Sequence, residues 1–132
     1  MTEAEFVVSV MQDDRVWRWL KVDGVEKELV RYEPSSTYFV NENGFVMYRQ
    51  IYPSMWEVHI VMTKAKNVVE FGMETMQKMR EKGVKKFLAP IGEWNTPALK
   101  LAAKCGFKEE GRISKAFQRD GVSKSLIFMG AE

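Results

Sequence analysis

The chain has little of what usually makes a small protein cross-linked, metal-bound or membrane-anchored. Its 132 residues include one cysteine, one histidine and four prolines. The lone cysteine, Cys105, excludes an intramolecular disulfide and points to a reducing compartment, the cytoplasm. One histidine and one cysteine cannot build a multi-ligand imidazole–thiolate metal site within one chain, so no metal is expected. Long apolar runs are missing too. Stretches such as Leu126–Met129 fall far short of the roughly 20 residues of a membrane-spanning helix. No basic-then-apolar leader opens the sequence. Neither sign of charge dominates: 20 Lys and Arg against 18 Asp and Glu leave +2. That balance gives no ground for expecting nucleic acid or a membrane surface as partner.

What is present suffices for one core. Hydrophobic residues make up 45% of the chain and aromatic residues 12%, which excludes disordered and collagen-like classes and predicts a single domain. Phe6, Val7, Val10 and Met11 recur at helical spacing after Thr2. Asp13-Asp14 gives an acidic first turn to a second short helix over Arg15–Leu20,. Lys27–Arg31 reads as a short strand. Tyr38–Val40 and Phe45–Tyr52 flank Glu42-Asn43-Gly44 as a hairpin, and Trp56–Met62 follows as a strand,. A helix is predicted from about Ala65 to Glu81, with Ala65, Val68, Val69, Gly72, Met76 and Met79 as its stripe, Phe71 off it, and Gly83 as its stop,. Lys85–Leu88 reads as a strand ending before Pro90. Asn95 caps a second clear helix with Ala98, Leu101, Ala102 and Cys105 inward, and Gly106 ends it. Phe107–Phe117 and Ser123–Met129 form a final hairpin around Asp120-Gly121. The order predicts an α+β fold with a mixed sheet and one parallel crossover.

Chemistry can sit in few places. The turn Met62–Val68 leads from a strand into a helix, where unpaired N–H groups favour an anion. Lys64 and Lys66 add positive charge, although an ordinary connection with solvated lysines explains them as well. Asn95 is a good helix cap, or an amide donor to a ligand between the two helices. Along Trp56–Met62 the faces alternate, placing Glu57, His59 and Val61 together,. A carboxylate and an imidazole two residues apart can cooperate in proton transfer, or line a wet strand face. Cys105 reads as a small core residue. Arg15, Trp17, Arg18 and Trp19 fit an amphipathic helix as well as a nucleic-acid patch,.

Asn95-Thr96-Pro97-Ala98 through Lys104-Cys105-Gly106-Phe107, continued by Lys108–Arg112 and Arg119-Asp120-Gly121, resembles the GNAT acetyltransferase superfamily. Trp56–Ile60 resembles the central strand of its bacterial and phage-encoded members. The resemblance covers about residues 37–129, making 37–132 a core and 1–36 a divergent helical part. It implies a mostly antiparallel mixed sheet with helices on both faces and a central parallel pair, Trp56–Met62 and Lys85–Leu88, splayed around acetyl-CoA as co-substrate. It further implies that Val61 and Met62 meet the pantetheine arm, that Lys66, Asn67, Val68 and Val69 meet the pyrophosphate, and that Asn95 meets the cofactor's arm. Glu57, with His59 beside it, falls where a catalytic carboxylate is common. The acceptor would be an amine on a small molecule or a protein, with no nucleic acid or membrane involved and a homodimer left open. Two positions depart from the family pattern. The pyrophosphate turn, Lys64–Glu70, holds no glycine, and a position often occupied by an acidic tyrosine is Ala102. These carry a second reading: a weak or inactive member serving as a binding or structural module, of a viral particle for instance.

Overall fold

The computed structural model describes residues 1–132. Thr2 starts α1 (Glu3–Gln12) through reciprocal bonds: the Glu5 N–H donates to Thr2 Oγ1 at 3.1 Å and the Thr2 N–H donates to Glu5 Oε1 at 2.9 Å,. Asp13 ends α1 and caps α2 (Asp14–Leu20), accepting from the Arg15 N–H. Residues Lys27–Leu29, expected within a strand, form a 3-10 turn instead. This segment pairs with no strand of the sheet. It is held beside α1, where Gln12 Nε2 donates to the Lys27 carbonyl at 3.0 Å.

The hairpin of β1 (Thr37–Asn41) and β2 (Gly44–Tyr52) turns where Asn41 Oδ1 accepts from the N–H groups of Asn43 and Gly44, an Asx-type closure. β3 (Met55–Met62) returns antiparallel to β2. α3 (Val68–Glu81) then crosses to β4 (Lys86–Gly92), which lies parallel to β3. α4 (Thr96–Lys104) leads into β5 (Lys108–Arg119) and β6 (Val122–Ala131), and β6 inserts between β4 and β5. The six strands run in the order β1-β2-β3-β4-β6-β5 with one parallel pair. This is the expected α+β architecture with a mixed, mostly antiparallel sheet. No helix is long and apolar enough to cross a membrane.

Strand alternation sorts the apolar residues onto two faces. Val46, Tyr48 and Val58 join Met76 and Met79 of α3 and Ala102 of α4 in the larger core. Phe45 and Val61 join Val7, Val10 and Val16 of α1 and α2 in a smaller one. Each fully buried side chain of this kind contributes about 1.5–3 kcal/mol, so both helical layers are anchored to the sheet. The larger core admits one polar pair. Thr75 Oγ1 donates to the Gly72 carbonyl, leaving the Tyr48 hydroxyl to donate to Thr75 at 2.8 Å. Burial pushes the Tyr48 phenol up to about 12, so it stays neutral.

Four expectations are corrected. α3 begins at Val68, not Ala65, because Asn67 adopts a left-handed conformation (φ 54°) and no helical turn can precede it,. Thr75 joins the inner stripe of α3, and Phe71, four residues earlier, packs half-buried against the larger core. β4 continues through Pro90 to Gly92. Pro90 lies beyond the last β3–β4 pair, where that side of β4 has no ladder needing donors,. β5 is not regular: between Ile113–Leu126 and Phe117–Lys124 it bulges, with Lys115 left-handed,.

Candidate active site

β3 and β4 pair only at Met55–Lys86, Trp56–Phe87 and Glu57–Leu88. Beyond that point β3 stays with β2 as far as Met62 while β4 stays with β6 as far as Gly92. The two strands therefore diverge, and their facing backbone groups have no sheet partner along residues 58–62 and 89–92. Two adjoining cavities, of about 180 and 250 Å³, occupy the divergence. Trp19, Leu20, Ile60, Val61, Asn95, Ala98 and Leu101 line both of them, so they form one cleft.

The smaller cavity reaches the start of α3. Val61, Met62, Ala65 and Val68 line it, and Arg15 of α2 closes its side. Arg15 is held by Asp13 through Nε at 3.0 Å and Nη2 at 2.8 Å. Sequence reasoning had no cleft in which to place it. At the helix start no side chain caps the first turn. Its first N–H groups are thus left for an external acceptor. The left-handed Asn67 supplies the tight turn into α3 that a glycine would otherwise provide, asparagine being among the few residues that tolerate it. The missing glycines therefore do not prevent the turn from forming. Lys64, Lys66 and Asn67 are exposed on it. Val69 turns its side chain to the larger core, leaving only its backbone for the cleft end.

The larger cavity passes between the strands and is lined by Val58–Val61 of β3 and Ala89–Gly92 of β4. His59 is in this wall; Glu57 is not, but it sits directly behind. Glu57 Oε2 lies 2.6 Å from His59 Nε2, and Arg49 Nη2 on β2 donates to both Glu57 oxygens at 2.9 and 3.0 Å. The hydrogen bond from His59, helped by Arg49, holds the Glu57 carboxyl below its ordinary range against the opposing effect of burial,. An ionised carboxylate can only accept, so His59 Nε2 carries the proton of that bond. Nδ1 is then the imidazole's remaining polar atom. Asn95 is the cap foreseen for it, its Oδ1 accepting from the Ala98 N–H at 3.3 Å, and it also lines both cavities. Cys105 is buried in the far wall, and desolvation pushes its thiol up. It is a core thiol, not a thiolate.

Side chains that the sequence did not single out close the remaining wall. Trp94 lies across Gly92, whose missing Cβ would sit only 2.4 Å from the indole ring. Its Nε1 donates to the Trp19 carbonyl at 2.8 Å, and Arg119 and Phe117 flank the ring at 5.0 and 5.5 Å. The Arg119 guanidinium also donates to the carbonyls of Arg18 and Lys21, each at 2.8 Å. Asp23 accepts from the N–H groups of Asp120 and Gly121. The end of α2 is thereby fastened to the β5–β6 hairpin across the cleft. Only the Arg-Asp-Gly turn gave any sequence signal for this arrangement.

No family model matches the sequence, and no curated protein does. Solved structures do. A candidate phosphinothricin N-acetyltransferase superposes with a TM-score of 0.71 at 24% identity, over 96% of this chain and 90% of its own. A probable GNAT-family acetyltransferase of Chromobacterium violaceum gives 0.73 at 15% identity, over 97% and 76%. A candidate acetyltransferase of Salmonella typhimurium, solved with its cofactor acetyl-CoA, gives 0.63 at 15% identity, over 68% and 57%. The chain spans less than two thirds of the Salmonella protein, and 54–66% of the length of five further matched structures. With its single parallel pair splayed around a cleft and helices packed on both faces, the chain has the fold of the GNAT acetyltransferases.

Proposed function

We propose that the chain is an N-acetyltransferase that moves an acetyl group from acetyl-CoA to an amine by direct attack. The observation that carries this reading is the cleft between β3 and β4, which joins an uncapped helix start to a buttressed imidazole. A pyrophosphate suits the first-turn N–H groups of Val68, Val69 and Glu70, with Lys64 and Lys66 beside them. A pantetheine arm suits the backbone of Met62, which faces away from β2, with Val61 beside it in the cleft wall, and the amide of Asn95,. The amine nitrogen attacks the thioester carbonyl, the C–S bond breaks, and CoA leaves as its thiolate. His59 Nδ1 takes the proton that the ammonium loses, and Glu57 orients the imidazole through Nε2. Ala102 can supply no proton to the leaving sulfur, but a thiolate leaves adequately without one at neutral pH.

Thermal unfolding with and without acetyl-CoA tests binding. At a hundredfold excess over the dissociation constant, stabilisation of about 2.7 kcal/mol is expected. That corresponds to a rise of roughly 8–10 °C for a domain of this size. An unchanged melting temperature overturns the reading. If binding holds, His59→Gln should keep it and slow transfer by about 10²–10⁴. Transfer at the normal rate in His59→Gln, with loss in Glu57→Gln, would return the base to Glu57. Ala102 favours one further reading, a scaffold that binds acetyl-CoA without turnover, and acetyl-CoA stabilisation with no transfer to any amine would establish it.

A further inference from the structure

We propose that the larger cavity is the acceptor site and that it selects a primary amine carrying one apolar, ring-sized body. This rests on the acetyl-transfer reading and adds the substrate class. On the α2 side of the sheet the cavity is walled by Trp19, Leu20, Val22, Trp94, Phe117 and Leu126. No Asp, Glu, Lys or Arg lines it, and its titratable groups are His59 and the buried core thiol of Cys105. A second ammonium group, as on a polyamine, would enter without a carboxylate to meet it. A carboxylate or phosphinate on the acceptor would enter without a cation. Either is a buried, unpaired charge, which apolar walls exclude strongly. Two side-chain polar atoms of the wall are already engaged: Trp94 Nε1 donates to the Trp19 carbonyl, and Asn95 Oδ1 accepts from the Ala98 N–H.

Size and rigidity point the same way. A dry apolar cavity of about 150 Å³ suffices to hold benzene. The 250 Å³ here leaves room for one ring beside the reacting thioester and for little more. The wall is also fixed in place. Trp94 is seated on Gly92, flanked by Phe117 and Arg119 and hydrogen-bonded through its indole nitrogen. Such a wall reads shape instead of adapting to it.

Phenethylamine, spermidine and phosphinothricin are the probes. With acetyl-CoA saturating, kcat/KM for phenethylamine should exceed the other two by about a hundredfold, since each of them strands a charge in the wall. Phe117→Ala should raise the KM for phenethylamine by about tenfold and leave the acetyl-CoA thermal shift in place, which also shows that the variant folds. Faster acetylation of spermidine or phosphinothricin, or an unmoved KM in Phe117→Ala, overturns the proposal. Calorimetric titration of phenethylamine onto the chain alone separates the two readings. If acetyl-CoA gives no thermal shift but phenethylamine binds and Phe117→Ala weakens it, the transfer reading falls and the cavity assignment stands. If phenethylamine does not bind even with CoA present, the cavity assignment falls.

Discussion

At one end of the cleft the chain offers backbone, and at the other it offers side chains held from several directions. The start of α3 is shaped by one residue, Asn67, whose conformation frees the first-turn N–H groups, while Lys64 and Lys66 are exposed beside it. The Trp94 end is built from contacts between residues distant in sequence, with Arg119 bonded to Arg18 across 101 residues. A backbone site survives changes of side chain as long as its dihedral angles survive. A wall of packed side chains does not, because each piece is held by the others. The start of α3 can therefore lack glycines without losing its shape, whereas the Trp94 end depends on every contact that encloses it.

The largest test of this contrast is Trp94→Ala. It removes a half-buried ring and leaves the Trp19 carbonyl without its donor, so about 3 kcal/mol of stability should be lost on urea unfolding. A loss below about 1 kcal/mol would mean that the wall is not cooperative. Asn67 comes next. Asn67→Ala should cost about 1–2 kcal/mol because alanine pays the full left-handed penalty, while Asn67→Gly should be near neutral. Equal stability of the two variants would remove the conformational argument.

Arg49→Ala should cost about 1 kcal/mol at neutral pH, the guanidinium being half exposed,. The pH dependence follows from Glu57, whose folded pKa lies below the ordinary 4.5. Its stabilising contribution is complete above 4.5 and is lost as pH falls through the lower folded value. Glu57→Gln should flatten that acid limb when stability is followed from pH 7 to pH 3. The smallest effect belongs to Lys64→Ala and Lys66→Ala. Each should change stability by less than about 0.5 kcal/mol, but should weaken acetyl-CoA binding more at low salt than at high salt. A salt-independent effect would argue against a role for their charge.

How far the sequence could be read depended on how local each signal was. Asn95 as a cap, the inward stripe of α4 and the pairing of Glu57 with His59 on one strand face are all set by neighbours within a few residues. The strand–helix–strand order around α3 was legible for the same reason. Lys27–Leu29 misled because strand propensity is outweighed by tertiary context, here the contact with α1,. The start of α3 was displaced because one left-handed residue is invisible to periodicity. Trp94, Phe117 and Arg49 gave no signal, and Arg119 only as part of a turn motif, since their roles exist only once β2, β4, α2 and the last hairpin have met.

By itself the sequence determined the class of the fold, its α4 motif, the shared face of Glu57 and His59, and the presence of only one imidazole and one thiol. The three-dimensional structure decided which of those residues line the cleft. His59 is placed in the wall with Glu57 behind it, an asparagine takes the turn of a glycine, and a tryptophan wall stands across from both. The reason is physical: periodicity and capping are local properties of the chain, whereas the divergence of β3 from β4 and the packing that encloses it are set by contacts between distant segments.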